Sequence, residues 1–183
     1  MKNFWIVVAV IFIVLAFVTT LVATVFVAKQ DSLFRICFSA VPQNVIGGTG
    51  GEPNAVVIGM ITLDQYTDKI TYIMQTVASM SGVTAVHIRG PIPLGGSIGP
   101  LYAALCGFPN NDNACDISTL PGQLSGTVLK VYDGIVPEAT SIRNVFEDIR
   151  ANPFLYYVEI LTNAKPVTPG AVRANIVATC GFA

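Results

Sequence analysis

The stretch Ala55–Val77 reads AVVIGMITLDQYTDKITYIMQTV. Its arms, Ala55–Leu63 and Lys69–Val77, are rich in β-branched and aromatic residues, and the polar segment Asp64–Asp68 separates them. Alternation of this kind marks strands, and a short polar break between two of them marks a turn. The stretch therefore predicts an antiparallel hairpin.

The same pattern continues outward. Val83–Arg89 predicts a third strand, and Leu101–Leu105 a short fourth after the Gly/Pro loop GPIPLGGSIGP of Gly90–Pro100. After the polar loop CGFPNNDNAC, further strands are expected at Leu124–Tyr132, Phe154–Leu161 and Ala171–Thr179. Toward the N-terminus, residues 29–54 read as a stalk and a first strand, followed by the breaker cluster Gly47–Pro53. One helical pattern interrupts the series: Ile142, Val145, Phe146 and Ile149 fall at i, i+3, i+4 and i+7 within Ser141–Ala151. Thr140 or Ser141 can cap it, and Pro153 prevents its continuation. About seven or eight short strands with one helix in a connection predict a mainly β fold, a Greek-key-like antiparallel sandwich.

The 183 residues are 52% apolar and 11% charged, with a net charge of −1. The apolar excess is concentrated in residues 5–28, where only Thr19, Thr20 and Thr24 interrupt an uncharged run. Without that run the remainder is about 47% apolar, an ordinary globular proportion. The run is long enough to span the hydrocarbon core of a bilayer as a helix, and longer than the apolar part of most signal peptides. Cleavage after Ala28 or Ala23 would put Phe26 or Leu21 where a small residue is wanted. The expected organisation is a short flank at 1–4, a transmembrane helix over 5–28 in contact with lipid, a stalk with the first strand at 29–54, and a sandwich domain at 55–183. No second stretch approaches the length of a span, which argues against a polytopic transporter. A near-zero charge with no Lys/Arg cluster argues against nucleic acid as a partner.

Cys37, Cys106, Cys115 and Cys180 all lie outside the apolar run. Their number is even, no CxxC pair occurs, and the chain has one histidine. This pattern suits disulfides better than a zinc site and favours the extracellular or lumenal side; four reduced structural cysteines are the alternative. Lys2 on one flank and Lys29 and Arg35 on the other leave the charge rule undecided.

A single histidine leaves little room for His-based catalysis or metal binding. Alternation in AVHIR places His87 with Ala85 and Arg89, opposite Val86 and Ile88. The reading is a histidine at the sandwich rim, hydrogen-bonded to a loop carbonyl. Asp64 and Asp68 read as turn-capping residues, and Glu147 and Asp148 as solvated residues on the helix's polar face. Gly95–Gly99 lacks the Gly-Lys-Ser/Thr sequence of a phosphate loop. Arg173 lies in an otherwise apolar strand, where Glu159 on a neighbouring strand could pair with it.

Two segments, SGVTAVHIRGPIPLGGSIGPLYAAL (Ser81–Leu105) and YYVEILTNAKPVTPGAVRANIV (Tyr156–Val177), resemble the CHRD domain found in chordin and other secreted or surface proteins. The resemblance covers roughly Val56–Ala178 and rests on Gly82-Val83-Thr84, His87-Ile88, Gly99-Pro100, Tyr157-Val158, Thr162, Gly170 and Arg173. It implies an extracellular antiparallel β-sandwich working chiefly by interaction. Arg89 stands where the family often has a second histidine, and Leu161 where it has a later one. A more distant likeness links those family histidines to the copper ligands of Cu/Zn superoxide dismutase. This chain keeps only His87, so neither a metal nor another cofactor is expected.

In a sandwich the terminal strands are often neighbours, which favours Cys37–Cys180; a local Cys106–Cys115 bridge would close the shortest loop. The alternative pairs Cys106 with Cys180 and Cys37 with Cys115. The functional expectation is a single-pass, membrane-anchored, non-enzymatic module that binds a protein partner or its own copies. The alternatives are a degenerate dismutase-like metal oxidoreductase or other enzyme, and a virion or envelope surface protein.

Overall fold

The computed structural model describes residues 2–31, 33–45, 51–77, 80, 82–108, 114–115, 123–128, 141–176 and 180. The chain divides into two compact units, Met1–Leu33 and Phe34–Ala183.

The first unit is dominated by helix α1, Lys2–Asp31, which extends beyond the apolar run at both ends. Thr19, Thr20 and Thr24 donate their hydroxyls to carbonyls three and four residues back in the same helix. The described side chains of α1 are those of residues 10–24, and over the described residues no helix is long and apolar enough to cross a membrane. The structure thus does not establish the span expected over residues 5–28.

The second unit is mainly β, with two antiparallel sheets of four strands. Sheet A contains β1 (Leu33–Ala40), β2 (Val57–Asp64), β3 (Lys69–Thr76) and β6 (Gln123–Val128), in the order β1-β2-β3-β6. Sheet B contains β4 (Val83–Arg89), β5 (Leu101–Cys106), β7 (Tyr157–Thr162) and β8 (Val172–Asn175), in the order β5-β4-β7-β8. The β2–β3 hairpin forms as expected, with Asp64 opposite Lys69. Asp64 Oδ1 accepts from the backbone N–H of Tyr66 and Thr67, which fixes the turn.

β3 alternates without exception: Ile70, Tyr72, Met74 and Thr76 are buried, whereas Lys69, Thr71, Ile73 and Gln75 are exposed. Its buried side, with Ile36 of β1 and Ile61 of β2, joins Val86, Ile88, Val158, Ile160 and Val172 of sheet B in one hydrophobic core. Helix α2 (Ile142–Ala151) adds Ile142, Val145 and Ile149 to that core, and the Ser141 side chain caps it by accepting from Asn144 N–H. The side chain of Phe146, expected on the same stripe, lies outside the described residues.

Several boundaries differ from expectation by a residue or two, β2 for example starting at Val57 rather than Ala55, and two differ by more. The strand expected from Phe154 starts at Tyr157, because Pro153–Leu155 form a 3₁₀ turn closed by Tyr156 N–H to the Pro153 carbonyl. The strand expected over Ala171–Thr179 spans Val172–Asn175. The expected residues 129–132 and 177–179 lie outside the described ones.

The disulfides are Cys37–Cys180 and Cys106–Cys115, with Cα–Cα distances of 5.3 and 5.2 Å. The first joins β1 to the end of the chain; the second closes the loop after β5.

Candidate functional site

Sheet B differs from sheet A in being buried on both faces. All six residues of β5 and all six of β7 are buried. In β4, Val86 and Ile88 point into the core, so Ala85, His87 and Arg89 lie on the outer face. Register places His87 opposite Glu159, and Glu159 opposite Arg173. A row of three ionisable residues therefore crosses β4, β7 and β8 on a face that solvent barely reaches.

Glu159 is the hub of this row. Its Oε2 lies 3.3 Å from Arg89 Nη1 and 3.9 Å from His87 Nδ1, and it accepts from the Thr168 hydroxyl at 3.2 Å. The carboxylate is 1% exposed, so its pairing with Arg89 offsets a charge that would be costly to bury alone. The Arg173–Glu159 adjacency expected from sequence is present in the register, but the carboxylate's close ionic partner is Arg89. Arg173 stacks over the Tyr157 ring, 3.5 Å from its centroid, and donates from Nη1 to the Ser97 carbonyl at 2.8 Å. Burial pulls the Arg173 guanidinium below its ordinary pKa, against the opposing influence of Tyr157 and Glu159.

These side chains hold loops rather than face a cleft. Arg89 Nε donates to the Gly99 carbonyl at 3.0 Å, and Gly99 N–H donates to the Tyr157 hydroxyl at 3.2 Å. The loop's ends meet where Gly90 N–H reaches the Pro100 carbonyl at 2.9 Å. A Cβ on Gly99 would lie 2.6 Å from the Gly90 Cα, so glycine permits this closure. Gly170, at φ +74°, lies so close to β7 that a Cβ would be 2.8 Å from the Ile160 carbonyl oxygen and 3.0 Å from the Glu159 side chain. Thr162, at the far end of β7, is fully buried and donates to Glu52 Oε2 at 3.0 Å.

His87 is hydrogen-bonded to a loop carbonyl as its sequence position suggested, but it is 5% exposed rather than at an open rim. Its Nε2 lies 2.9 Å from the Phe108 carbonyl oxygen, which can only accept, so Nε2 carries the proton. Nδ1 is buried without a hydrogen-bond partner, as is Arg173 Nε. A metal at Nδ1 would have to share Glu159 with the Arg89 guanidinium. Among the described residues no group of three His, Cys, Asp or Glu side chains could hold a metal ion. The donor set does not fit a copper or zinc centre.

Of the resemblance positions, His87, Arg89, Gly99, Pro100, Gly170 and Arg173 come together at sheet B and its covering loops, while Thr162 serves a separate contact. Sequence reasoning missed the central place of Glu159 and the part played by Tyr157. The available signal was a lone acid and a tyrosine in the otherwise apolar segment YYVEIL. It also missed a strut elsewhere, in which the buried Tyr102 hydroxyl donates to Asp148 Oδ2 on α2. Glu147, read as solvated, is exposed and bonded to Arg143 and Gln65.

No family model, curated protein or solved structure matches the chain.

Proposed function

We propose that the chain is a single-pass, membrane-anchored surface module of CHRD type: a non-enzymatic β-sandwich held on the extracellular or lumenal side, working by binding protein or its own copies. The observation that carries this reading is the use of the ionisable residues on sheet B. Arg89, Arg173 and His87 direct hydrogen bonds to the carbonyls of Gly99, Ser97 and Phe108, so polar groups that could have formed an open reactive site brace the surface loops instead.

Two further features support it. The pairs Cys37–Cys180 and Cys106–Cys115 suit an oxidising compartment. In α1, the threonine hydroxyls are satisfied within the helix, as a helix in lipid requires.

Protease treatment of intact membranes carrying the full chain, before and after they are opened, tests this reading. Digestion of the 34–183 unit from the extracellular or lumenal side, leaving a membrane-bound N-terminal fragment, is the expected result. A domain protected on that side, or a chain released by alkaline washing, would overturn it.

A further inference from the structure

His87 is the only histidine of the chain, and its two ring nitrogens have unlike surroundings. Nε2 carries a proton and donates it to the Phe108 carbonyl at 2.9 Å. Nδ1 is buried with no hydrogen-bond partner among the described residues, and the Glu159 carboxylate, opposite it on β7, has its Oε2 3.9 Å away. In the neutral ring Nδ1 is an acceptor, as is the carboxylate, so two lone pairs face each other across a gap too wide for a hydrogen bond. A buried acceptor without a donor costs free energy, and its presence in a native structure calls for a reason. One added proton supplies the missing donor. Nδ1–H and Oε2 would then close to the roughly 2.7–2.9 Å of a charge-assisted hydrogen bond, a movement of about 1 Å.

That oxygen is already in use. Oε2 takes the Arg89 Nη1 contact at 3.3 Å and the Thr168 hydroxyl at 3.2 Å. Through these two residues it reaches both loops that cover the face, because Arg89 Nε holds the Gly99 carbonyl at 3.0 Å and Thr168 belongs to the 163–170 segment. Few other ionisable groups face His87. β7 adds Tyr157 and β8 adds Arg173, β5 sets Ala104 opposite, the segment after β5 offers the Phe108 carbonyl, and Lys165 is the one charged residue of 163–170. With His87 neutral the row sets two guanidinium groups against one carboxylate. With His87 charged, three cations share it. Among these groups only the Glu159 carboxylate can answer the new charge, and leaning toward Nδ1 takes it away from Arg89 and Thr168.

We propose that this row is an acid-sensitive latch: protonation of His87 at Nδ1 draws the Glu159 carboxylate from Arg89 and Thr168 and loosens the 90–100 and 163–170 loops, while the core and both disulfides stay in place. Imidazole is the side chain that ordinarily changes charge between about pH 5 and 8, so the latch responds to a move from neutral to mildly acidic surroundings. The inference goes beyond the surface-module reading and does not rest on the anchor, since every group in it lies within the 34–183 unit.

The test follows backbone amide exchange of the full chain in detergent micelles at about pH 7.5 and about pH 5.5, corrected for the pH dependence of exchange itself. Gly99 N–H, donated to the Tyr157 hydroxyl, and Gly170 N–H, donated to the Val167 carbonyl, report the two loops. The amides of β3, which lies between β2 and β6, report the core. Protection at Gly99 and Gly170 is expected to fall roughly 10-fold at the acid pH, as the loss of a hydrogen bond to a charged group implies, with β3 unchanged. His87→Gln keeps a donor for the Phe108 carbonyl but takes up no proton, so its loops stay protected at both pH values. Should that variant fail to form both disulfides, the imidazole nitrogen resonances of the wild type decide, and with one histidine they are unambiguous. Nδ1 protonation and the loss of loop protection must then share one midpoint. Loops equally protected at both pH values, a fall that β3 shares, a fall that persists in His87→Gln, or midpoints that differ would each overturn the proposal. None of these outcomes bears on membrane topology, so the latch and the surface-module reading fail separately.

Discussion

Arg89 Nη1 meets Glu159 Oε2 at 3.3 Å across the β4–β7 ladder, with the carboxylate almost wholly removed from solvent. Glu159 lies between His87 of β4 and Arg173 of β8 in the register, and the hydrogen bonds of Arg89, His87 and Arg173 to loop carbonyls make the outer face of sheet B a brace for the loops above it. Glu159→Gln leaves the buried Arg173 and the part-buried Arg89 without a counter-charge and should cost about 3 kcal/mol of stability. Urea unfolding of the variant measures the loss. Replacing Arg89 and Glu159 together by leucine should recover most of it, because the unpaired charge, rather than the absence of the pair, carries the penalty.

The two disulfides should contribute unequally. Their sequence separations are 143 and 9 residues, and loop-closure entropy gives about 5 kcal/mol for the Cys37–Cys180 bridge against about 3 kcal/mol for Cys106–Cys115. Replacing each pair with serine and comparing unfolding midpoints checks the order. The Cys37/Cys180 variant is expected to be the less stable of the two.

Tyr102 should make the domain sensitive to alkali. Burial, followed by its hydrogen bond to Asp148, raises the phenol's pKa well above the ordinary value of 10.0, and burial also raises that of Tyr72. The protonated form is therefore favoured by folding, so the stabilisation is complete below about pH 10 and is lost as unfolded-state phenols ionise above it. Tyr102→Phe should cost about 1 kcal/mol at neutral pH through the lost hydrogen bond. It should also flatten the decline in stability above pH 10, as followed by thermal unfolding between pH 7 and 11.

Local pattern made much of this fold legible. The β2–β3 hairpin, β4 and α2 follow from period-two and 3.6-residue spacing together with turn and cap residues, whereas loop length and the proximity of chain ends favoured the observed cysteine pairing but left its alternative open. The outer face of sheet B was not legible, because its burial depends on loops 90–100 and 163–170 folding back over it. Alternation in VTAVHIR placed His87 and Arg89 on one face but could not show that this face is covered. Likewise, the register sets Glu159 beside both His87 and Arg173, yet sequence spacing cannot reveal that Arg89 holds the carboxylate while Arg173 reaches across Tyr157 to Ser97. Backbone carbonyls as partners, such as that of Phe108, leave no trace in residue type.

The central claim is that the His87–Glu159–Arg173 row is a structural brace and not a reactive metal centre. Metal analysis of the purified full chain after exposure to copper and zinc, followed by dialysis, tests it most directly. The account predicts no stoichiometric ion in the wild type. One copper or zinc per chain, lost in His87→Ala while both disulfides and the fold persist, would contradict it.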